Sequence, residues 1–242
     1  MATEHHPASS RLRISDERHG PLPVLLLALT IVTGLVDAVS ILSLGRVFVA
    51  NMTGNVVFVG FAIAGASGFS LGASLSALAG FLVGAGVGGL LGRRLRTHRG
   101  RLLLCGAVLE TLCVSGGLLI VLSAGTPLGA GAKDATAGLV AVALGAQNAV
   151  VRVLGVPDLT TTVLTLTLTG LVSDVRAGVG PTSLRRGLAV SLMFGGALIG
   201  AVLVLKVSPA AGLGAADGVL LAVVLASAKL STGQRPWHRP AD

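Results

Sequence analysis

Two carboxylic acids sit where a carboxylic acid is hard to place. Asp37 lies in the apolar string Thr33-Gly34-Leu-Val-Asp37-Ala-Val-Ser40, and Glu110 lies nine residues past Arg101, inside another apolar run. A carboxylate near mid-membrane costs on the order of 2.5 to 3.5 kcal/mol on insertion scales, so each needs a partner, a proton or a purpose. For Asp37 two readings stand side by side. It binds a proton or cation or orients a polar substrate, or it is a permanent partner of Arg152 or of peptide groups in a broken segment. Gly34 lets another backbone come close, and Ser40 is placed to share hydrogen bonds. Glu110 reads as a hydrogen-bonded or protonated side chain facing the interior. Arg152, near the end of its apolar run, can snorkel to the interface, and these two are secondary candidates.

Two further stretches carry polar side chains among apolar ones: Val47-Phe-Val-Ala-Asn51-Met-Thr53-Gly54-Asn55 and Val156-Pro157-Asp158-Leu-Thr160-Thr161-Thr162. Both hold turn formers and residues that cap helices. If a helix starts at Asn51, Thr53 and Asn55, its unpaired N–H groups offer a place for an anion or a carbonyl, and Thr160, Thr161 and Thr162 supply the counterpart. The plainer reading is a pair of ordinary crossing helices whose threonines bond their own carbonyls. Asp158, Asp174 and Asp217 fall near expected segment ends, where capping or solvation accounts for them. No Walker sequence, zinc signature or nucleophile elbow occurs, so no metal and no cofactor is implied. Cys105 and Cys113 read as reduced packing residues.

The elements that must hold these groups follow from composition. The 242 residues are 52% hydrophobic, 12% charged and 3% aromatic, with mean hydropathy +0.87, against about 25% charged in a soluble domain. Leu71 to Gly92 runs 22 residues without a charge and Gly187 to Leu205 runs 19, near the roughly 20 needed to cross a hydrocarbon core. Hydropathy gives eight apolar segments, about 22–44, 47–66, 70–92, 102–124, 135–155, 159–173, 187–206 and 212–229. Charge decides which cross. With eight crossings, the arginines at 93, 94, 96, 99 and 101 face away from Arg11, Arg13 and Arg18, against the positive-inside tendency. With six, the second and sixth segments being re-entrant or broken, 15 of 18 cations share one side and only Arg46, Lys133 and Lys206 lie opposite. The expected fold is therefore all-α: a polytopic membrane helix bundle of about six crossing helices plus two partial segments. Both termini are then cytoplasmic. The net charge of +8 is a topology signal that touches anionic lipid and implies no nucleic acid.

The chain also resembles itself. Gly34-Leu-Val-Asp37-Ala38 is answered 111 residues later by Gly145-Ala-Gln147-Asn148-Ala149, and Gly84 and Gly88 by Gly196 and Gly200 at an offset of 112. A unit with three crossings must be copied upside down, so the repeat is expected to be inverted. Residues 1–21 form a polar tail, 22–230 one membrane domain with repeats at about 22–124 and 135–230, and 231–242 a second tail. Gly80, Gly84, Gly88 and Gly92 recur every four residues as a flat stripe, which suits a static helix contact, a sliding surface or a dimer seam between copies.

The strings around Asp37 and Asn51, with Gly155-Val-Pro157-Asp-Leu-Thr160-Thr161-Thr162, resemble the YoaK-type bacterial membrane proteins, a domain of unknown function, over about 24 to 230. The resemblance implies an inner-membrane protein of about six helices and supplies no reaction, cofactor or catalytic residue. The residues favour a small secondary transporter for an unknown small polar molecule or ion in the lipid bilayer, with Asp37→Asn abolishing pH-dependent uptake. A membrane module that binds lipid or a partner, and an intramembrane enzyme, are the alternatives.

Overall fold

A computed structural model describes residues 19–125, 127–157, 159, 161, 164–174, 181–232 and 236–238. Among them there are eight helices and no strand: α1 (Leu22–Ser43), α2 (Met52–Ile63), α3 (Leu71–Leu95), α4 (Arg99–Ala124), α5 (Ala130–Leu154), α6 (Leu164–Asp174), α7 (Pro181–Lys206) and α8 (Pro209–Leu230). Six of these, all but α2 and α6, are long and apolar enough to cross a membrane. At 1.5 Å per residue, the shortest of the six reaches about 33 Å, against a hydrocarbon core of about 30 Å. With 12 and 11 residues, α2 and α6 reach about half of that. Among the described residues the eight helices thus divide, as expected, into six long enough to cross and two short ones.

Helix ends are set by local chemistry. Pro21 and Pro23 open α1, where a missing N–H loses nothing. Ser70 and Ser208 accept from Ala73 and Ala211 at 3.1 and 3.2 Å and cap α3 and α8. Arg93 and Arg94 lie in the last turn of α3, where positive charge meets the carbonyl end of the dipole. The start of α2 differs from expectation. The apolar run begins at Val47, but Gly45 and Arg46 take φ of 98° and 57° and the chain stays non-helical through Asn51. The Ser70 N–H donates to the Gly45 carbonyl at 3.3 Å. The segment therefore leaves the end of α1, enters the bundle, turns into α2 and returns to the end it left.

The two most enclosed spans are α1 and α5. The largest interfaces set α3 against α5 and α1 against α7, with α4 lying on α5 and α8, and α8 on α1. α2 packs on α3, and α6 on α7. Glycine explains the closeness. A Cβ on Gly80, Gly84 or Gly88 would collide with the carbonyl of Gly138, Val142 or Ala146 in α5, and one on Gly145 with that of Phe81. The other interface repeats the arrangement: Gly196 and Gly200 meet Ile31 and Leu35 of α1, and Gly34 meets Met193. The stripe thus has its partner within the chain, and Gly92 completes it against Val153. Leu82, Leu90, Leu112, Leu119, Leu198 and Leu205 remain exposed on the outside, a surface suited to acyl chains rather than to water.

The end where α1 begins and α8 finishes is closed by a 3-10 turn, Pro236–His238. Trp237, the one tryptophan, packs on Gly20 and Gly100, and His238 stacks on His98 at 4.4 Å between centroids. Burial first, then the charges of His238 and Arg101, holds the His98 imidazole below its ordinary range. Arg99 donates to the Leu154 carbonyl and so satisfies the end of α5. At the opposite end Asp134 lies against Gly72, in the first turn of α3.

Two expectations are corrected. Cys105 is exposed and only Cys113 is buried, because eight residues turn a helix by about 80°, enough to move Cys105 off the packed face. Asp217 does not cap a helix. It is the ninth residue of α8 and accepts from Ser115 Oγ of α4 at 2.7 Å.

Candidate functional site

Asp37 lies six residues from the end of α1, about 9 Å below it at the helical rise. That is the depth to which the non-helical segment descends. The Val49 N–H donates to Asp37 Oδ1 at 3.3 Å, and the Ala50 N–H also faces this carboxyl. These peptide groups belong to no helix and need an acceptor. Asn55 secures the same segment from α2: its Oδ1 accepts from Phe48 N–H at 2.9 Å and its Nδ2 donates to the Phe48 carbonyl at 2.6 Å. Ser40 Oγ donates to the backbone carbonyl of Asp37 and leaves the carboxylate alone. Arg152 is exposed in the last turn of α5, at the end where α1 begins, so it does not pair with Asp37.

A second polar group lies in the middle of the bundle. Glu110 is the twelfth residue of α4, about 16 Å from its start, and is 1% exposed. Facing it is Gln147 of α5, 2% exposed. With its nitrogen toward Glu110, the amide donates to Oε1 at 2.6 Å and Oε2 at 3.3 Å, and its oxygen accepts from Thr161 Oγ1 at 2.9 Å. Thr33 Oγ1 lies on the same side of the amide as Thr161, 3.3 Å from it, and spends its own proton on the Leu29 carbonyl at 3.1 Å. Thr33 and Asp37 are four residues apart on α1 and share one face. Side chains of α4, α5 and α1 and that of Thr161 thus meet around one carboxyl. No cation pairs with Glu110 among the described residues.

A family model described as "Protein of unknown function (DUF1275)" matches residues 25–226. The chain belongs to the DUF1275 family. A curated relative, "UPF0700 transmembrane protein YoaK" of Bacillus subtilis (strain 168), is 33% identical over 158 residues, covering 62% of this chain and 66% of the relative. The chain thus spans just under two thirds of that relative's length. No solved structure matches. With the six apolar spans, this makes the DUF1275 chain a membrane protein.

The expected residues of this DUF1275 chain divide into those that converge and those that do not. Gln147, Glu110 and Thr161 converge. Asn148 donates to the Leu144 carbonyl of its own helix at 3.0 Å. Asn51 and Thr53 are exposed, and the Asn51 side chain makes no cap hydrogen bond to α2. Thr160 and Thr162 lie outside the described residues, as do Asp158 and the tail arginines at 11, 13 and 18. Sequence reasoning passed over Thr33, whose spacing of four from Asp37 is a visible signal, and the Ser115–Asp217 pair, 102 residues apart, which left none.

Proposed function

We propose that this DUF1275 protein is a small proton-coupled secondary transporter of the bacterial inner membrane, with both termini cytoplasmic. Its cargo is a small polar molecule or ion, bound in the interior between the two partial helices. The observation that carries this reading is the break before α2 beside Asp37. Irregular backbone at membrane depth survives only where protein or a wet cavity satisfies it, and transporters build such breaks at their binding sites. Asp37 is the acceptor that holds the segment at rest and that a donor group of the cargo would meet.

The reading also draws on duplication. The contacts of Gly34 with Met193 and of Gly145 with Phe81 are what one inverted repeat, copied at an offset of 111 to 112, predicts. Two such halves can rock about their glycine seams, since flat contacts between backbones slide with little rearrangement of side chains.

The test is uptake. Purified protein in liposomes loaded with a pH-sensitive dye is challenged with amino acids, organic acids, sugars and alkali cations in turn. The transporter reading expects at least one to move protons through the parent protein and none through Asp37→Asn or empty liposomes. Silence across the whole panel, with no solute raising the melting temperature, rejects it.

A further inference from the structure

An amide side chain can sit either way round, because its oxygen and nitrogen are alike in size and only the hydrogen-bond network distinguishes them. At Gln147 the network has two self-consistent forms, and Glu110 selects between them. When Glu110 is ionised it only accepts, so the amide nitrogen must face it at 2.6 Å and the amide oxygen must accept from Thr161 Oγ1. When Glu110 carries a proton it donates, and the amide oxygen turns to receive that bond. A separation of 2.6 Å lies inside the range for O–H···O bonds. The amide nitrogen then faces Thr33 Oγ1 at 3.3 Å.

Thr33 distinguishes the two forms. Its hydroxyl proton is committed to Leu29, so toward Gln147 it can only accept, and it satisfies the amide only in the protonated form. Thr161 does the opposite: its hydroxyl donates to the amide oxygen in the ionised form and loses that acceptor in the protonated one. Thr161 also sits at φ 56°, where a β-branched residue is uncommon, in the chain that leads into α6.

We propose that Glu110 is a reversible proton-binding site and that Gln147 transmits its state to the hydroxyl of Thr161. The proton is taken from water and returned to water, and no other bond changes. The titratable neighbours are few. Cys113 lies one turn along α4, Asp217 of α8 is turned to Ser115, and Asp37 lies one turn beyond Thr33. Lys133, Asp134 and Arg152 occupy the ends of α5, and Arg93 and Arg94 the end of α3. The inference deepens the proton-coupled reading above but is measured without any transport, so either can fail alone.

The experiment is infrared difference spectroscopy of the purified full chain in lipid discs, titrated from alkaline to acid pH. The parent protein should gain the carbonyl band of a protonated carboxylic acid together with a change in side-chain amide bands. Glu110→Gln should lose both signals, whereas Asp37→Asn should retain them. Gln147→Leu should keep the acid band but move it to the higher frequency of an acid without that acceptor. In a chain with Cys105 and Cys113 replaced by alanine, the labelling rate of Thr161→Cys, taken at each pH as a ratio to that of the exposed control Ser67→Cys so that thiol ionisation cancels, should change with pH, and the added Gln147→Leu should make the ratio constant. An acid band that survives Glu110→Gln overturns the proposal, as does its absence at every pH in the parent. If Glu110→Gln does not fold, an unmoved band in Gln147→Leu overturns it equally.

Discussion

Asp37 and Glu110 are both carboxyls within apolar helices, yet their surroundings set them different tasks. Asp37 receives peptide N–H groups from a segment that has no helix of its own, so removing it leaves backbone donors without an acceptor. Glu110 meets one side-chain amide, which can rotate. The first is part of what holds the chain's course, and the second can change state without moving the backbone. Buried polar groups in a membrane protein are therefore to be judged by what faces them: the peptide groups on Asp37 hold its segment at rest until a cargo donor takes their place, and the side-chain amide on Glu110 can follow its state without any such exchange.

The comparison breaks most visibly through the seams that hold each helix. Gly84→Leu should drive α3 from α5 and so displace Gln147, while Gly196→Leu should drive α7 from α1 and displace Asp37. Overpacking against backbone should cost more than ~3 kcal/mol in each case, read as loss of folded protein on extraction. Gly86→Leu, whose Cβ meets open space, should melt like the parent. Equal behaviour of all three variants would contradict the seam assignment.

Next in size is the contrast itself. Asp37→Ala should orphan the Val49 and Ala50 amides at about 1–3 kcal/mol each, lowering the melting temperature at every pH. Glu110→Gln keeps size and acceptor and should melt within about 1 kcal/mol of the parent. If Glu110→Gln is as damaging as Asp37→Ala, the two carboxyls do not differ in the way described. Asn55→Ala should follow, at about 2 kcal/mol for its two bonds to Phe48. Because it holds the same segment as Asp37, the double variant should lose less than the sum of the singles. Strict additivity would separate the two anchors.

The smallest effect lies outside the membrane. His98 is held neutral below its ordinary value of 6.5 by burial, His238 and Arg101. The folded end therefore binds its proton less readily than the unfolded chain does. The stabilisation is present above that value and is lost as pH falls through and below it. Mild acid should loosen the 236–238 turn and shift Trp237 emission to the red, and His98→Gln should remove most of the shift. An emission spectrum constant with pH would sink this assignment.

Much of this was legible in the chain. Charge distribution separated six crossing segments from two partial ones, and glycine periodicity marked both seams, because both signals are local. The start of α2 was not legible. Val47 and Val49 look helical by hydropathy, but Asp37 and Asn55 take their segment's hydrogen bonds across 12 and 7 residues. Residue type pointed to Asn51 and Thr53 as interior ligands, whereas the rotation of α2 on α3 decides that Asn55 faces inward and those two do not. Gln147 and Glu110 were each visible as oddities, and only the packing of α4 on α5 makes them a pair.

The central claim is that the chain breaks inside the membrane before α2 and turns back. Single cysteines at Arg46 and Ser67, in a chain lacking Cys105 and Cys113, probe it with an impermeant thiol reagent applied to either face of oriented vesicles. Both positions flank α2 and are exposed. The account predicts that both label from one and the same face, opposite to His98→Cys. Labelling of Arg46→Cys and Ser67→Cys from opposite faces would mean that α2 crosses, and would contradict it.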